Sequence, residues 1–382
     1  MAEKSAYCDG ESCSWSSSCR YVGTLVVGGV VARSHHIRRA LLVGSVLLSA
    51  VIIGTIGASA AVSSPPNPDE VRQFGGYVAL GSSTPSGLGI APHVISPTTP
   101  PGCGRSANSY PALLSRSIGV ASFTDASCSG ATADNLYSSQ VRGGFLSADP
   151  APPQLAALRQ DTKMVSLTVG SNDINLLRLF GTDCPRLAAR AWDKSPCKDS
   201  AATLPNAKGI DERVSSVRKS LTQALSIIHH KSPYARVLLI GYGQYAPATQ
   251  SPDHPCRTRL RLADGDVAWF HDLTERLDAA MRAAAQAPDN AKFTTFVDSF
   301  GHWTGHDACA DDAHSWTNGS HAKPGDGAGL HPRQSGAVAM GYLAKCAMAN
   351  RPVTQQELER VVDETRPTSP NQELRLPACP SA

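Results

Sequence analysis

YVALGSSTPSGLG, from Tyr77 to Gly89, is the stretch on which the interpretation of this chain depends. Its apolar first part, Tyr77-Val78-Ala79-Leu80, is typical of a short buried β-strand. The strand would stop at Gly81, and two serines follow where the chain leaves the sheet. Open α/β sheets bind ligands beyond the carboxyl ends of their strands, so a serine here is a candidate site residue. A Gly-Ser pair after a strand is also a common turn, and this stretch alone leaves both interpretations open.

Length and composition place the chain among loop-rich globular proteins. It has 382 residues, of which 18% are charged and 6% aromatic, with 27 prolines and 32 glycines. One enlarged α/β domain with extensions at both ends fits this length. The formal net charge of +3 is too small to indicate a nucleic-acid partner, and no Lys/Arg cluster alternates with aromatic residues.

The cysteines form two sets. Three lie near the amino terminus, at Cys8, Cys13 and Cys19. The other eight are widely spaced without a CxxC pair: Cys103, Cys128, Cys184, Cys197, Cys256, Cys309, Cys346 and Cys379. An even set without metal-ligand spacing favours disulfides in an oxidising compartment over a zinc site. Spacing alone leaves their connectivity open.

An uncharged segment from Ala40 to Val62 follows Arg38-Arg39. The preceding positive charge orients the segment with its amino end in the cytoplasm, in contact with the membrane. Ala58-Ser59-Ala60 has the form of a signal-peptidase site, so we predict cleavage and a secreted protein. The segment is also long enough to span a bilayer, which leaves an uncleaved plasma-membrane anchor as the alternative.

We therefore divide the chain into four parts. Residues 1–62 are a cytoplasmic n-region plus signal peptide or anchor, although translation starting near Val31 would leave a more ordinary basic start. Residues 63–73 are a linker, 74–349 the folded domain, and 350–382 a polar, Pro-rich carboxyl-terminal extension.

Within the domain, strand-like and helix-like segments alternate. The predicted strands are Tyr77–Leu80, Gly119–Phe123, Lys163–Val169, Ala235–Gly243 and Lys292–Val297. The predicted helices are Ser109–Ile118, Pro153–Arg159, the segments from Val214 to Ile228 and from Trp269 to Met281, and Gln334–Met348. This order predicts a mainly parallel sheet of about five strands with helices on both faces. A polar insertion (181–207) and an irregular segment (299–330) interrupt the alternation.

Four short stretches follow strands or precede the last helix: ALGSSTPSGLG, CSGAT, VGSND and LHP. Together, in this order, they resemble the four blocks of the SGNH hydrolases, also called GDSL lipases and esterases. The match is closest to the secreted actinobacterial branch, which GHDAC (305–309) and WTNG (316–319) also resemble. The resemblance covers residues 75–349 and implies a flavodoxin-like three-layer α/β/α fold.

The resemblance also implies the chemistry and its residues. Ser83 aligns with the nucleophile and His331 with the general base, since an alcohol needs a base within hydrogen-bond reach. The donors that stabilise the oxyanion would be the backbone N–H groups of Ser83 and Gly130 and the side-chain amide of Asn172. No cofactor and no metal is implied.

Each assignment has an alternative. Ser82 could be the serine that matters, Gly130 could serve only a turn, and Asn172 could cap a helix beginning at Ile174. The other histidines near the last block, His302, His306 and His314, are interpreted as structural or substrate-facing.

The chain departs from the family pattern in two places. Ser82 and Thr84 stand where the family has Asp and Tyr around the nucleophile. Ala328 stands where many members have an acid three residues before the base. We therefore expect a Ser–His dyad whose base is oriented by the main-chain carbonyl of Ala328, with Asp326 as a weaker candidate.

Related enzymes carry disulfides between neighbouring cysteines, which implies Cys103–Cys128, Cys184–Cys197 and Cys256–Cys309. The remaining pair, Cys346–Cys379, is assigned by elimination.

The sequence thus predicts a secreted, monomeric serine esterase or lipase for small-molecule or lipid esters, with fatty-acyl esters favoured. We expect the loops after Gly87 and from Ser299 to Leu330 to wall the acyl pocket. The alternatives are a carbohydrate O-deacetylase on the same fold and a non-catalytic descendant that binds lipid or glycan, the latter because Ser82 replaces the family Asp.

Overall fold

The computed structural model describes residues 75–95, 101–141, 150–249, 256–369 and 371–380. The apolar segment from Ala40 to Val62, the linker and the three amino-terminal cysteines lie outside these ranges. None of the helices in these ranges combines the length and the apolar composition that a bilayer span requires. No group of three or more His, Cys, Asp or Glu side chains in the same ranges is placed to hold a metal ion.

A five-stranded parallel sheet forms the middle layer, in the order β2-β1-β3-β4-β5. Its strands are β1 (Gly76–Gly81), β2 (Ser122–Asp125), β3 (Thr162–Thr168), β4 (Arg236–Ile240) and β5 (Thr294–Val297). Long connections run between successive strands, as parallel pairing requires. The predicted parallel α/β sheet is confirmed.

Ten helices are present in the described part of the chain. They are α1 (Ser83–Ser86), α2 (Tyr110–Ile118), α3 (Leu176–Arg178), α4 (Cys184–Ala188), α5 (Pro196–Asp199), α6 (Ile210–Lys231), α7 (Cys256–Arg259), α8 (Asp264–Ala285), α9 (Gln334–Met348) and α10 (Gln355–Glu364). A π-helical turn (Leu179–Asp183) joins α3 to α4, and 3₁₀ turns occur at Pro101–Cys103, Ala133–Leu136, Gln154–Ala157, Asn290–Lys292 and Phe300–His302.

Side chains of β1 alternate between two hydrophobic cores. Val78 and Leu80 belong to the core that includes buried residues of α6 and α8. Tyr77 and Ala79 belong to the second core, which includes residues of α2 and α9. Successive side chains of a strand point to opposite faces, so a strand covered on both faces is apolar throughout. This explains the continuous apolar run in the sequence and gives the domain around the sheet three layers.

Two predicted elements differ from the structure. The second strand begins at Ser122 rather than Gly119, because Gly119 ends α2 with a left-handed φ of 65°. The predicted helix Pro153–Arg159 is a single 3₁₀ turn over Gln154–Ala157.

The carboxyl-terminal extension contains a helix that the sequence analysis missed. In α10, Leu358, Val361 and Val362 are buried against the second core. Their spacing is that of one helix face, a signal hidden by the many polar residues around it. The Tyr342 hydroxyl of α9 donates to the Glu357 carboxylate at 2.5 Å, which ties the extension to the domain.

The described part of the chain contains four disulfides, three with the pairing that the resemblance implies and the fourth as assigned by elimination. They are Cys103–Cys128, Cys184–Cys197, Cys256–Cys309 and Cys346–Cys379. The first links the loop before α2 to the loop after β2, and the last fastens the carboxyl-terminal residues to α9.

Asp278 of α8 provides a test of the packing beneath the sheet. It is 4% exposed, and its Oδ1 atom has no hydrogen-bond partner among the described residues. Burial raises the pKa of Asp278 to about 7, Asp298 adds to the increase, and Arg282 opposes it. Because the folded state holds this proton more tightly than the unfolded state, the group's stabilising contribution falls as pH rises from 3.8 to about 7.

We expect Asp278→Asn to have a higher Tm than the wild type, because the amide carries no charge to bury. This difference in Tm should be several degrees larger at about pH 8 than at about pH 5. Thermal unfolding followed by circular dichroism at both pH values measures this difference. Asp272→Asn, at an exposed position of the same helix, is the matched control. An equal Tm difference at both pH values would contradict the prediction.

Candidate active site

The site begins where β1 ends, at Gly81. This residue has φ of 122°, and a Cβ built on it would lie 2.1 Å from the carbonyl oxygen of Thr168. Only glycine fits a backbone that passes so close to β3. The carboxamide of Gln154 binds both backbone polar groups of this residue, since Gly81 N–H donates to Oε1 at 2.6 Å and Nε2 donates to the Gly81 carbonyl at 2.9 Å. The chain therefore leaves the sheet in a fixed direction.

Ser83 is the first residue of α1, immediately after this turn. Its Oγ lies 2.8 Å from Nε2 of His331, which is 248 positions away in the chain. Both residues are buried, with 3% and 7% exposure. The structure thus brings together the serine and the histidine that the resemblance singled out.

A hydrogen bond at Nδ1, the second ring nitrogen, fixes the orientation of the His331 imidazole. Nδ1 lies 2.7 Å from the carbonyl oxygen of Gly329, to which it donates. This tautomer leaves the Nε2 lone pair facing the Ser83 hydroxyl. Burial lowers the pKa of His331, and the hydrogen bond to Gly329 only partly offsets this. A neutral imidazole is the form that accepts a proton.

The acceptor behind the base differs from the expectation. The Ala328 carbonyl accepts the backbone N–H of His331 at 3.2 Å, not the ring. Leu330, between Gly329 and His331, has φ of 55°, and this left-handed turn brings the Gly329 carbonyl back toward the imidazole. Asp326 is engaged elsewhere, because its carboxylate pairs with Arg333 at 2.7 Å and accepts the N–H of Gln334 at 3.0 Å. No carboxylate therefore completes a triad among the described residues.

Residues of the CSGAT (128–132) and VGSND (169–173) stretches lie beside Ser83. The Asn172 amide donates from Nδ2 to the Ala131 carbonyl at 2.9 Å, and an amide nitrogen carries a second N–H. The Asp173 carboxylate accepts the N–H of Ala133 at 3.0 Å, and burial raises its pKa to about 6. Together the two side chains hold the loop that contains Gly130.

Gly130 has φ of 82°, a conformation that favours glycine. It lines the same groove as Ser83, Asn172 and His331. The helix-cap alternative for Asn172 is not supported, because the nearest helix starts at Leu176 and Asn175 precedes it.

Ser82, at the position of the family Asp, faces a different part of the protein. It is fully buried, and its Oγ lies 3.5 Å from the hydroxyl of Tyr242. That hydroxyl donates to Ser171 Oγ at 3.1 Å. Ser82 is thus one end of a buried chain of hydroxyl groups rather than the serine at the imidazole.

The groove over Ser83 has a volume of about 1080 Å³. Most of the residues that line it have polar or charged side chains, and the full set is Ser83, Gly130, Thr132, Gln140, Asn172, Asn175, Leu177, Arg178, Gly181, Thr182, Asp183, Arg186, Asn206, Ser320, Gly329, Leu330 and His331. One wall comes from residues 175–186 and Asn206, where Asn206 donates to the Asp183 carboxylate at 2.6 Å. The expectation that the loops after Gly87 and before Leu330 form the walls is therefore wrong in part. The second loop contributes Ser320, Gly329 and Leu330, and the described residues after Gly87 contribute none before Gly130.

The three other histidines near the last block lie outside the groove lining. His302 is bound to the carbonyls of Asp298 and Val353, and His306 stacks on Trp316 with ring centroids 3.7 Å apart. His314 binds the Asp311 carboxylate at 2.8 Å. Their contacts are structural, in line with one of the two interpretations from the sequence.

Sequence reasoning missed three contributors: Gln154, Gly329 and the cationic residues of the groove wall. Gln154 lies 73 positions from its partner Gly81, so no local pattern marks it. Gly329 acts through its carbonyl, which the residue type does not reveal. The one available signal was the polar insertion itself, because an insertion near strand ends can wall a site.

The chain is similar to known proteins in sequence and in fold. The sequence profile of the GDSL-like lipase/acylhydrolase family matches residues 79–339. "Lipase 2" of Streptomyces coelicolor is 34% identical over 241 residues, which cover 63% of this chain and 75% of that protein. The crystal structure of phospholipase A1 from Streptomyces albidoflavus aligns with a TM-score of 0.54 and 26% identity, covering 72% of this chain and 98% of that one.

The extracellular lipase of Streptomyces rimosus has a TM-score of 0.53 and 24% identity over 72% of this chain and 98% of its own, which shows the shared fold. The profile match extends through all four sequence blocks, and the similarity to the Streptomyces coelicolor lipase covers 241 residues. The chain therefore belongs to the GDSL-like lipase/acylhydrolase family and is a carboxylic ester hydrolase.

Proposed function

We propose that this chain is a secreted serine esterase or lipase that cleaves fatty-acyl esters through an acyl-enzyme at Ser83. The observation that carries the proposal is the 2.8 Å contact between Ser83 Oγ and the buried Nε2 of His331. That contact lies in a groove which Gly130 and Asn172 also line.

In the first half-reaction, His331 Nε2 takes the hydroxyl proton as Ser83 Oγ bonds to the ester carbonyl carbon. The carbonyl oxygen becomes negatively charged and would accept hydrogen bonds from the N–H groups of Ser83 and Gly130 and from the Asn172 amide. When the carbon–oxygen bond to the alcohol breaks, the imidazolium gives its proton to the departing alkoxide. The acyl group is then an ester of Ser83.

In the second half-reaction, water attacks the acyl carbon while His331 takes one of its protons. Collapse of the tetrahedral intermediate returns that proton to Ser83 Oγ and releases the acid. The Gly329 carbonyl stabilises the imidazolium formed in both halves, because Nδ1–H continues to donate to it. Here a carbonyl dipole performs the orienting role that an aspartate has in a triad.

Lipid esters are proposed because the similar proteins named above are a lipase and a phospholipase A1. Leu177 and Leu330 provide apolar surface in the groove for an acyl chain. The polar groups Gln140, Asn175 and Asn206 in the same groove keep a carbohydrate O-deacetylase as the second candidate. A panel of p-nitrophenyl esters separates the two, since a lipase prefers longer acyl chains and a deacetylase prefers acetate.

Secretion is proposed from two features. The structure has four disulfides, which form and persist in oxidising compartments. The segment from Ala40 to Val62, outside the described residues, has the composition of a signal peptide or anchor. Amino-terminal sequencing of the protein from culture medium tests cleavage after Ala60.

We expect Ser83→Ala and His331→Ala each to lower kcat/KM for p-nitrophenyl butyrate by about 10³- to 10⁴-fold. Steady-state hydrolysis at neutral pH measures the effect. Ser82→Ala is the control, with less than about a tenfold loss, because its hydroxyl faces Tyr242. Wild-type turnover by folded Ser83→Ala would refute the proposed nucleophile.

The pH profile tests the state of the base. Because burial lowers the pKa of His331 from 6.5, kcat/KM should reach half its plateau at a pH below 6.5 and fall further as the imidazole is protonated. Asp173, whose pKa is raised to about 6, titrates nearby, so the profile is repeated with Asp173→Asn. A midpoint that disappears in this variant would assign the titration to Asp173 instead.

We expect Asn172→Asp to lower kcat by about 10²- to 10³-fold with a smaller change in KM, because a negatively charged oxygen replaces the N–H donor to the oxyanion and the hydrogen bond to the Ala131 carbonyl is lost. Asn175→Gly is the matched control, since Asn175 lines the same groove and glycine accepts its φ of 52°. Equal effects of the two variants would argue against a specific donor role for Asn172.

A further inference from the structure

We propose that Arg178 and Arg186 select ester substrates that carry an anionic group, a phosphate, sulfonate or carboxylate, near the scissile ester. This inference rests on the proposed function and names the substrate class of the same site. Both arginines line the groove over Ser83 and both are exposed. Neither guanidinium has a hydrogen bond or an ion pair with the part of the chain that the structure describes.

Other arginines near the groove form ion pairs within the protein. Arg333, beside the catalytic histidine in sequence, is paired with Asp326 at 2.7 Å. Arg259 pairs with Asp312 at 3.0 Å. Arg178 and Arg186 hold no such partner, so their charges contribute little to the fold and remain available to a ligand in the groove.

The charges in the groove lining do not cancel. Asp183 is the one carboxylate among the lining residues described, and its oxygen accepts the Asn206 amide at 2.6 Å. The two guanidinium groups therefore exceed the single carboxylate, although the net charge of the whole chain is only +3. A cleft whose lining carries a net charge raises the local concentration of oppositely charged substrate.

The backbone that carries the two arginines is fixed. Arg178 ends α3, where Leu176 and Leu179 on either side are fully buried. Arg186 lies in α4, two residues after Cys184, which is bonded to Cys197. An anchored backbone reduces the entropy lost when a side chain engages a ligand. The planar guanidinium then suits an anion with two oxygens, which it binds with parallel hydrogen bonds.

Arg190 offers a matched control. It lies four residues after Arg186 in the same insertion, is exposed, and likewise has no side-chain partner in the described ranges. It does not line the groove. A general attraction between basic surface and anionic substrate would depend on Arg190 as much as on Arg186, whereas selection in the groove would not.

The test compares the wild type, the double variant Arg178→Gln/Arg186→Gln and Arg190→Gln. The substrates are p-nitrophenyl butyrate, which is neutral, and 4-(butyryloxy)benzenesulfonate, which carries the anion on the leaving group. A second arm uses vesicles of phosphatidylglycerol or phosphatidylcholine, with fatty-acid release as the measurement. We expect the double variant to lose about fivefold in kcat/KM on the sulfonate, in line with two partly solvated charge contacts, and to keep its rate on the neutral ester.

Each outcome of this test either supports or overturns the inference. A loss on the soluble sulfonate places the anion on the reacting molecule, and a loss on phosphatidylglycerol vesicles alone places it on a lipid headgroup; both support the inference. Unchanged selectivity in both arms, or an equal loss in Arg190→Gln, overturns it. Absence of turnover of the neutral ester by the wild type would instead refute the proposed function.

Discussion

The close approach of β1 and β3 at their carboxyl ends is the constraint on which the site depends. Gly81 lies so near the Thr168 carbonyl that no side chain fits, and the Gln154 carboxamide binds both its N–H and its carbonyl. This contact sets the direction in which the chain leaves the sheet, and so the position of Ser83. A parallel sheet collects residues from distant parts of the chain at one edge, which is why His331 can reach a serine 248 positions earlier.

The sequence predicted the sheet and most helices because their apolar periods are long and clear, as in α6 and α8. It failed where structure depends on partners remote in the chain. The segment expected to be a helix at Pro153–Arg159 is only a turn at Gln154–Ala157, whose Gln154 side chain binds Gly81, and α10 was missed because its apolar face is narrow. Local propensity carries no information about such distant contacts.

For the site, the four blocks identified Ser83, Gly130, Asn172 and His331, and the structure places all four on one groove. What the residue types could not reveal were roles played by the main chain. The acceptor behind His331 is the Gly329 carbonyl, and its selection over Ala328 depends on the left-handed turn at Leu330. A carbonyl is present at every position, so only the backbone path distinguishes one from another.

The wall formed by residues 175–186 and the following insertion has a consequence for how this enzyme diversifies. Its disulfide, Cys184–Cys197, spans only 13 positions and joins no strand of the sheet. The groups proposed to perform the chemistry come instead from strand ends and from the segment before α9. With the proposed roles, substrate preference and bond cleavage reside in separate stretches of chain, so a descendant could exchange residues 178–197 and acquire a new preference while inheriting the reaction intact.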